Sequence, residues 1–388
     1  MKALPSARRI HPLPAEIITK RSNHATEKGV KPLPITVIYG SDGKDMVRQA
    51  LAHRRWELAL DPHRTYGIKP NLVLARPSHS GATTDPSVVE GIITFLKDHG
   101  CHKIKIMESS WLGDSTTRAF RICGYEVLAQ RYQVELIDLK KDRTVTAEQG
   151  GLQLEICRSA LDVDCLINVP VLKAHCQTRL TCALKNLKGC IPDREKRRYH
   201  SLGLHRPIAA LNKALPQHLV VVDGIIGDLT FEEGGTPVHM HRVIVGTDPV
   251  AVDSYCASLL GLGPEDVPYI TMAAELGVGN TYCEVEELNE GRQSLFAPSQ
   301  TADALKLHFT EAEACSACVG SLMHALYRLK EQGKRPPNSI FIGQGFKGKE
   351  GRGLGIGNCA RGFTSSVPGC PPTAKAIIDA LESAIENR

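Results

Sequence analysis

Short β-branched apolar runs recur along this chain with helical patterns between them, and no other feature restricts its fold as much. The runs occupy residues 35–39, 66–74, 103–107, 134–138, 165–169, 219–223 and 243–245. Between two of them, residues 86–98 place Val88, Val89, Ile92, Ile93 and Leu96 on one helical face. Such alternation predicts an α/β fold: a layered domain built on a largely parallel sheet. In open sheets of this kind ligands bind beyond the carboxyl ends of the strands. Several runs pass directly into polar residues that would rim a cleft there: Lys69-Pro70-Asn71, Glu108-Ser109-Ser110, the segment 170–175, Asp223-Gly224 and Thr247-Asp248-Pro249. Asp223 and Asp248 read as loop-orienting residues.

The chain has 388 residues, of which 42% are hydrophobic. That length calls for two domains, or one large domain with an appendage. Residues 1–34 are rich in Pro and charge and read as a loose N-terminal arm. Residues 35–290 form the expected α/β domain. Beyond a polar stretch the character changes, with a helical segment expected over 303–309, and residues 300–388 are expected to form a small C-terminal α/β cluster-binding domain. A formal net charge of +5 with 5% aromatic residues speaks against a nucleic-acid binder. The N-terminus lacks a secretory apolar core, and no stretch approaches eighteen apolar residues, so a cytoplasmic protein without membrane association is expected.

Thirteen cysteines stand out. An odd number spread through so long a chain is not a disulfide framework. Four of them share a distinctive setting. Cys315 and Cys318 form C-x-x-C before an amphipathic helix with Leu322, Leu326 and Leu329 on one face; Cys359 follows a glycine-rich approach; Cys370 precedes two prolines at the start of the last helix. C-x-x-C lets two thiolates converge on one metal, and glycines let backbone N–H groups approach cluster sulfurs. The four together suit a 4Fe-4S cluster. A tetrahedral zinc site would take the same ligands, and ordinary buried thiols are the third reading. The other nine, Cys123 among them, read as small hydrophobes.

Two further features bear on the cleft. Residues 343–350 approach a P-loop, but Glu350 replaces the magnesium-binding hydroxyl and further glycines follow where a helix must open, which speaks against nucleotide triphosphate binding there. The dense polar block from Arg179 to Arg206 reads either as a solvated face or as an anion-binding loop, in which Lys173, Lys185 and Arg194 would meet a carboxylate or phosphate.

Lys69-Pro70-Asn71, Thr84-Asp85-Pro86, Lys173-Ala174-His175, the segment 183–189 (Ala-Leu-Lys-Asn-Leu-Lys-Gly), Asp223-Gly224 and the segment 246–253 (Gly-Thr-Asp-Pro-Val-Ala-Val-Asp) together resemble the DUF362 family. That family is named for its undefined function and is often described as iron–sulfur cluster-binding. The likeness covers roughly residues 65–280 and implies a redox role without supplying a reaction. It suggests Lys69, Asn71, Lys185, Asn186, Lys188 and Arg194 as cofactor- or substrate-binding residues. The string around Cys370 is also similar to a cluster-ligand segment of hydrogenase and complex I small subunits.

The expectation that follows is a 4Fe-4S redox protein, an oxidoreductase or electron-transfer protein. Its metal ligands would be Cys315, Cys318, Cys359 and Cys370, and it would pass electrons to an anionic substrate or a flavin such as FMN in the cleft. His175 is the expected proton donor because an unperturbed imidazole titrates near neutrality, with Lys173 beside it. Partners would be a redox protein or a small anion, with a homo-oligomer also allowed. Two other classes stay open: an acid–base enzyme acting on a carboxylate with a structural cluster or zinc, and a cluster carrier or scaffold.

Overall fold

The computed structural model describes residues 34–53, 60–229, 232, 236–282, 284–291, 304–314, 316–337 and 339–386. The expected N-terminal arm, apart from its last residue, lies outside them, as do Cys283 and Cys315. Strands follow in the order β1 (Ile35–Tyr39), β2 (Tyr66–Pro70), β3 (Ile104–Glu108), β4 (Glu135–Asp138), β5 (Thr144–Gln149), β6 (Leu152–Cys157), β7 (Cys165–Val169) and β8 (Val171–His175). They continue with β9 (Arg179–Thr181), β10 (Leu219–Asp228), β11 (Pro237–Gly246), β12 (Val285–Glu287), β13 (Phe309–Glu311), β14 (Ile340–Ile342), β15 (Gly351–Ile356) and β16 (Phe363–Val367).

The large sheet runs β12-β1-β11-β10-β7-β2-β3-β4. Its β10-β7-β2-β3-β4 half is parallel throughout, and only β11 opposes its neighbours. All seven apolar runs seen in the sequence become strands of this sheet. Alternate residues of one strand serve two cores. Val220 and Val222 of β10 face one hydrophobic layer while Leu219 and Val221 face the other, and Leu166 and Ile167 of β7 divide in the same way. A parallel sheet covered on both faces demands this pattern, which is why its strands read as continuous apolar runs. The helix Pro86–Asp98 forms as its periodicity predicts, capped by Asp85, whose side chain accepts from Ser87 N.

The strand β8 differs from its expectation as a polar turn. Residues 171–175 are a fully buried strand, parallel to the distal half of β10 and antiparallel to β9. β10 is ten residues long, so its far half needs a partner that β7 is too short to provide.

The small sheet is parallel, in the order β13-β14-β15-β16. It packs against the helices Ser316–Glu331 and Ala374–Glu386, with Leu322, Met323, Leu326 and Leu329 wholly buried. Of the expected helix over 303–309, residues 304–306 are helical among the described residues, and β13 begins at Phe309. Pairing of Phe309 with Ile340 overrides the local helical pattern. Among the described residues no helix is long and apolar enough to cross a membrane.

Candidate functional site

A cavity of about 490 Å³ lies between the carboxyl ends of the large sheet and the C-terminal module. One wall carries Lys69, Asn71, His175, Lys185, Asn186 and Lys188, together with Glu108, Lys196, His200 and Glu232. The opposite wall is formed by Gly320, Ser321 and His324 of the helix Ser316–Glu331 and by Pro371, Pro372, Thr373 and Ala374. The modules meet where Cys176 packs on the small core and Gln177 Nε2 donates to Ala314 O at 3.4 Å.

On the first wall the charges are held by internal partners. Lys69, at the end of β2, is fully buried and donates to Glu108 Oε2 at 2.8 Å and to Pro70 O at 2.7 Å. Glu108 also accepts from the backbone N–H groups of Leu72 and Ser109. Gly189 closes over this ion pair. A Cβ at that position would collide with Glu108 Oε1 and Lys69 Nζ, which is the physical reason for glycine in the Leu187-Lys188-Gly189 turn. Asn186 joins the same network, donating to Asn168 Oδ1 at 2.7 Å and to Lys69 O at 3.3 Å.

Glu232 organises the centre. Lys185 Nζ donates to its Oε1 at 2.5 Å and to Thr181 Oγ1 at 3.1 Å. His175 Nε2 lies 3.1 Å from Glu232 Oε2. The backbone N–H groups of Gln177 and Thr178 both donate to His175 Nδ1, so Nδ1 is unprotonated and Nε2 carries the proton. Burial, reinforced by the nearby Lys185 charge, pushes His175 down to about 4 despite the opposing pull of Glu232. Glu232 itself is held well below the usual carboxylate range by Lys185 and His175, whose pull outweighs its own desolvation.

These facts correct two sequence expectations. His175 is a neutral imidazole locked in one tautomer, so it does not serve as the proton donor near neutrality. Lys173 does not reach the cavity: it is fully buried and donates to Ala82 O at 2.7 Å, Glu232 O at 3.0 Å and Asn71 Oδ1 at 3.2 Å. It is a clamp on the loops that carry Asn71 and Glu232. A third correction concerns Arg194. It lies on the exposed face of the helix Asp193–Leu202 and pairs with Glu155 of β6, away from the cavity. Only part of that charged run is a solvated face. Glu195, Lys196 and Tyr199 of the same helix are buried, and Lys196 donates to Ser109 O, Ser109 Oγ and Ser110 O. Burial pushes Lys196 down to about 8.

The carboxylates behind the wall orient loops, as expected for Asp223 and Asp248. Asp223 accepts from Asp85 N and Ile225 N, and burial raises it to about 7. Asp248 caps the helix Pro249–Leu259. Asp253 accepts from Ala183 N and Leu184 N, and so fixes the turn that presents Lys185 and Asn186. The sequence had no signal for Glu232, which follows β10 with no periodic context. Glu108, by contrast, ends a strand and was legible as a rim residue.

The described C-terminal cysteines lie in the module that forms the second wall, without lining the cavity themselves. In the parallel small sheet, Cys318 follows β13, Cys359 follows β15 and Cys370 follows β16, all at the carboxyl edge. The Cys359 and Cys370 loops are tied together: Gly357 N donates to Val367 O, Asn358 N to Gly369 O, and Gly369 N to Asn358 Oδ1, each at 2.9 Å. Gly357 has a left-handed φ of 84°, and a Cβ there would lie 3.5 Å from Cys318 Sγ. The Cys318 thiol thus lies against the turn that leads into Cys359, and among the described residues no three His, Cys, Asp or Glu side chains form a metal-holding group. None of the described cysteines is in a disulfide. Of the four cysteines expected as metal ligands, Cys318, Cys359 and Cys370 therefore lie in segments at the carboxyl edge of one small sheet, while Cys315 lies outside the described residues.

Comparison with known proteins agrees with the sequence resemblance. Residues 67–258 match the family described as a domain of unknown function, DUF362. A thylakoid-associated protein of Synechocystis sp. is 27% identical over 229 residues, covering 56% of this chain and 70% of that protein. Among solved structures, the lactate racemase apoprotein from Thermoanaerobacterium thermosaccharolyticum aligns with a TM-score of 0.38 and 14% identity, over 58% of this chain and 57% of that one.

Proposed function

Starting from membership of the DUF362 domain family over residues 67–258, we propose that this is a redox protein. It binds a small anionic organic ligand in the interdomain cavity and carries a 4Fe-4S cluster on Cys315, Cys318, Cys359 and Cys370. The observation that carries this reading is one of position. Pro371 to Ala374, directly after Cys370, line the same cavity as Lys69, Lys185 and Lys188. When bound, such a cluster supplies single-electron transfer.

The chain's own residues account for the ligand's charge. Lys69, Arg76, Lys185, Lys188 and Lys196 outnumber Glu108 and Glu232 among the lining side chains, which favours a carboxylate or phosphate. Thr373 caps the helix Ala374–Glu386 by accepting from Ala376 N at 3.2 Å, so the positive end of that helix opens on the cavity. A flavin phosphate such as that of FMN suits the same lining, and its ring interconverts one- and two-electron chemistry.

Anaerobic purification with iron, sulfide and zinc analysis tests the proposal. It expects about four iron and four sulfide per chain and a visible chromophore. Replacing Cys370→Ser should abolish or greatly alter the spectrum, whereas Cys123→Ser, at a buried thiol that hydrogen-bonds Arg76 O, should not. A colourless protein holding one zinc would overturn the redox reading.

A further inference from the structure

Four lysines line the cavity, and three of them are held by protein partners. Lys69 pairs with Glu108 and Lys185 with Glu232, while Lys196 donates to the backbone carbonyls of Ser109 and Ser110. Lys188 differs. Its side chain lines the cavity and is partly accessible from it, yet among the described residues it has no hydrogen bond and no ion pair. It sits on a short turn fixed at both ends: Asp253 holds the start of the preceding helical turn, and Gly189 packs on the Lys69–Glu108 pair. The position of Lys188 is therefore set by the fold, while its amine is left to the cavity.

We propose that Lys188 is a nucleophilic amine and that the cavity binds a small 2-oxo acid there as an imine. This rests on the anionic-ligand half of the reading above and is independent of the cluster. The charged groups facing Lys188 all bear on its state. Burial pushes the amine down to about 7, Lys185 and Lys196 push the same way, and Glu232 opposes them; the neutral His175 and His200 add no charge near pH 7. A desolvated amine beside other cations is neutral and nucleophilic under conditions where exposed lysines are protonated. The carboxylate of the ligand answers the cationic lining.

The step balances without an oxidant. The Nζ lone pair forms a C–N bond to the carbonyl carbon, and the carbonyl π pair moves to oxygen. That oxygen leaves as water after taking one proton from solvent and one from nitrogen, and the product is a protonated imine.

The test uses the full chain with pyruvate and sodium cyanoborohydride at about pH 7, followed by peptide mass mapping. The expected result is adduct on Lys188 at about tenfold or more over any exposed lysine, lost in Lys188→Arg. It should also be retained in Cys370→Ser, so that failure of the cluster reading and failure of this one are separate outcomes. Competitive acetylation of the wild-type protein across pH needs no variant, and it should give Lys188 a midpoint near 7. Absence of adduct, adduct spread over the surface lysines by exposure, or acetylation of Lys188 in step with exposed lysines would each overturn the proposal.

Discussion

The two walls of the cavity are built by opposite means. On the α/β wall, ammonium and carboxylate groups are buried, and nearly all have their hydrogen bonds completed inside the protein, as at Lys69, Lys185 and Glu232. On the C-terminal side, backbone hydrogen bonds hold the turns that carry the half-buried Cys359 and the exposed Cys370, and the cavity lining there is Gly320, Ser321, His324 and residues 371–374. A buried charge is tolerable only with its partners in place, so the first wall is preorganised and resists change. The second wall is shaped by backbone hydrogen bonds within its turns instead of by buried ion pairs. Lys188 is the exception on the first wall, and the proposed chemistry lies there for that reason.

The contrast can be broken most sharply at Lys69. Lys69→Met strands a buried Glu108 carboxylate and should cost about 3–5 kcal/mol in chemical denaturation. Cys370→Ser, at an exposed side chain, should leave stability near wild type while the cluster spectrum is lost. A loss below about 1 kcal/mol for Lys69→Met would mean that the α/β wall is not rigid in the sense argued here.

A smaller effect separates the walls by pH. Between pH 6.5 and about 4 the unfolded chain protonates His175 while the folded chain does not, so the native state loses stability as pH falls through that window. Asp223 and Asp253, both raised to about 7, act in the opposite sense and lose stability as pH rises from 3.8 toward 7. The comparison of wild type with His175→Asn isolates the histidine. Wild type should lose roughly 1–3 kcal/mol more than the variant over that range, read from urea midpoints at each pH. Parallel curves would contradict the neutral, locked imidazole.

The smallest effect belongs to the surface. Arg194→Ala removes an exposed pair with Glu155 and should change stability by about 1 kcal/mol or less. Reductive trapping on Lys188 should be unchanged. A large loss of trapping would return Arg194 to the site from which its position removes it.

Much of the architecture was legible because burial on both faces of a parallel sheet writes itself into the chain as apolar runs. The seven runs, the helix Pro86–Asp98 and the cysteine-bearing C-terminal module could be read without coordinates. So could Asp223 and Asp248 as loop-orienting carboxylates, since a cap or an Asx contact is a local event. The errors fall where a residue's chemistry depends on distant partners. Lys173 and His175 look alike as candidate acid–base groups in Lys173-Ala174-His175. Both project from the same face of β8, yet the loops carrying Ala82 and Glu232 supply carbonyls that take up the lysine amine, while the imidazole meets the Glu232 carboxylate and lines the cavity. Arg194 and Lys196 lie two apart in one charged run, and only the packing of their helix sends one outward and the other into the wall.

By itself, then, the sequence determined the α/β class, the positions of seven strands of the large sheet, the cysteine set at the C-terminal end and the resemblance to the DUF362 family. Periodicity, spacing and local capping are short-range properties carried by neighbouring residues. Which lysines are spent on partners and which one is left to a ligand was decided only by tertiary structure. The protonation of an amine or imidazole is set by desolvation and by charges that the fold brings from 39 to 57 residues away in the chain, such as Glu108 to Lys69 and Glu232 to Lys185 and His175.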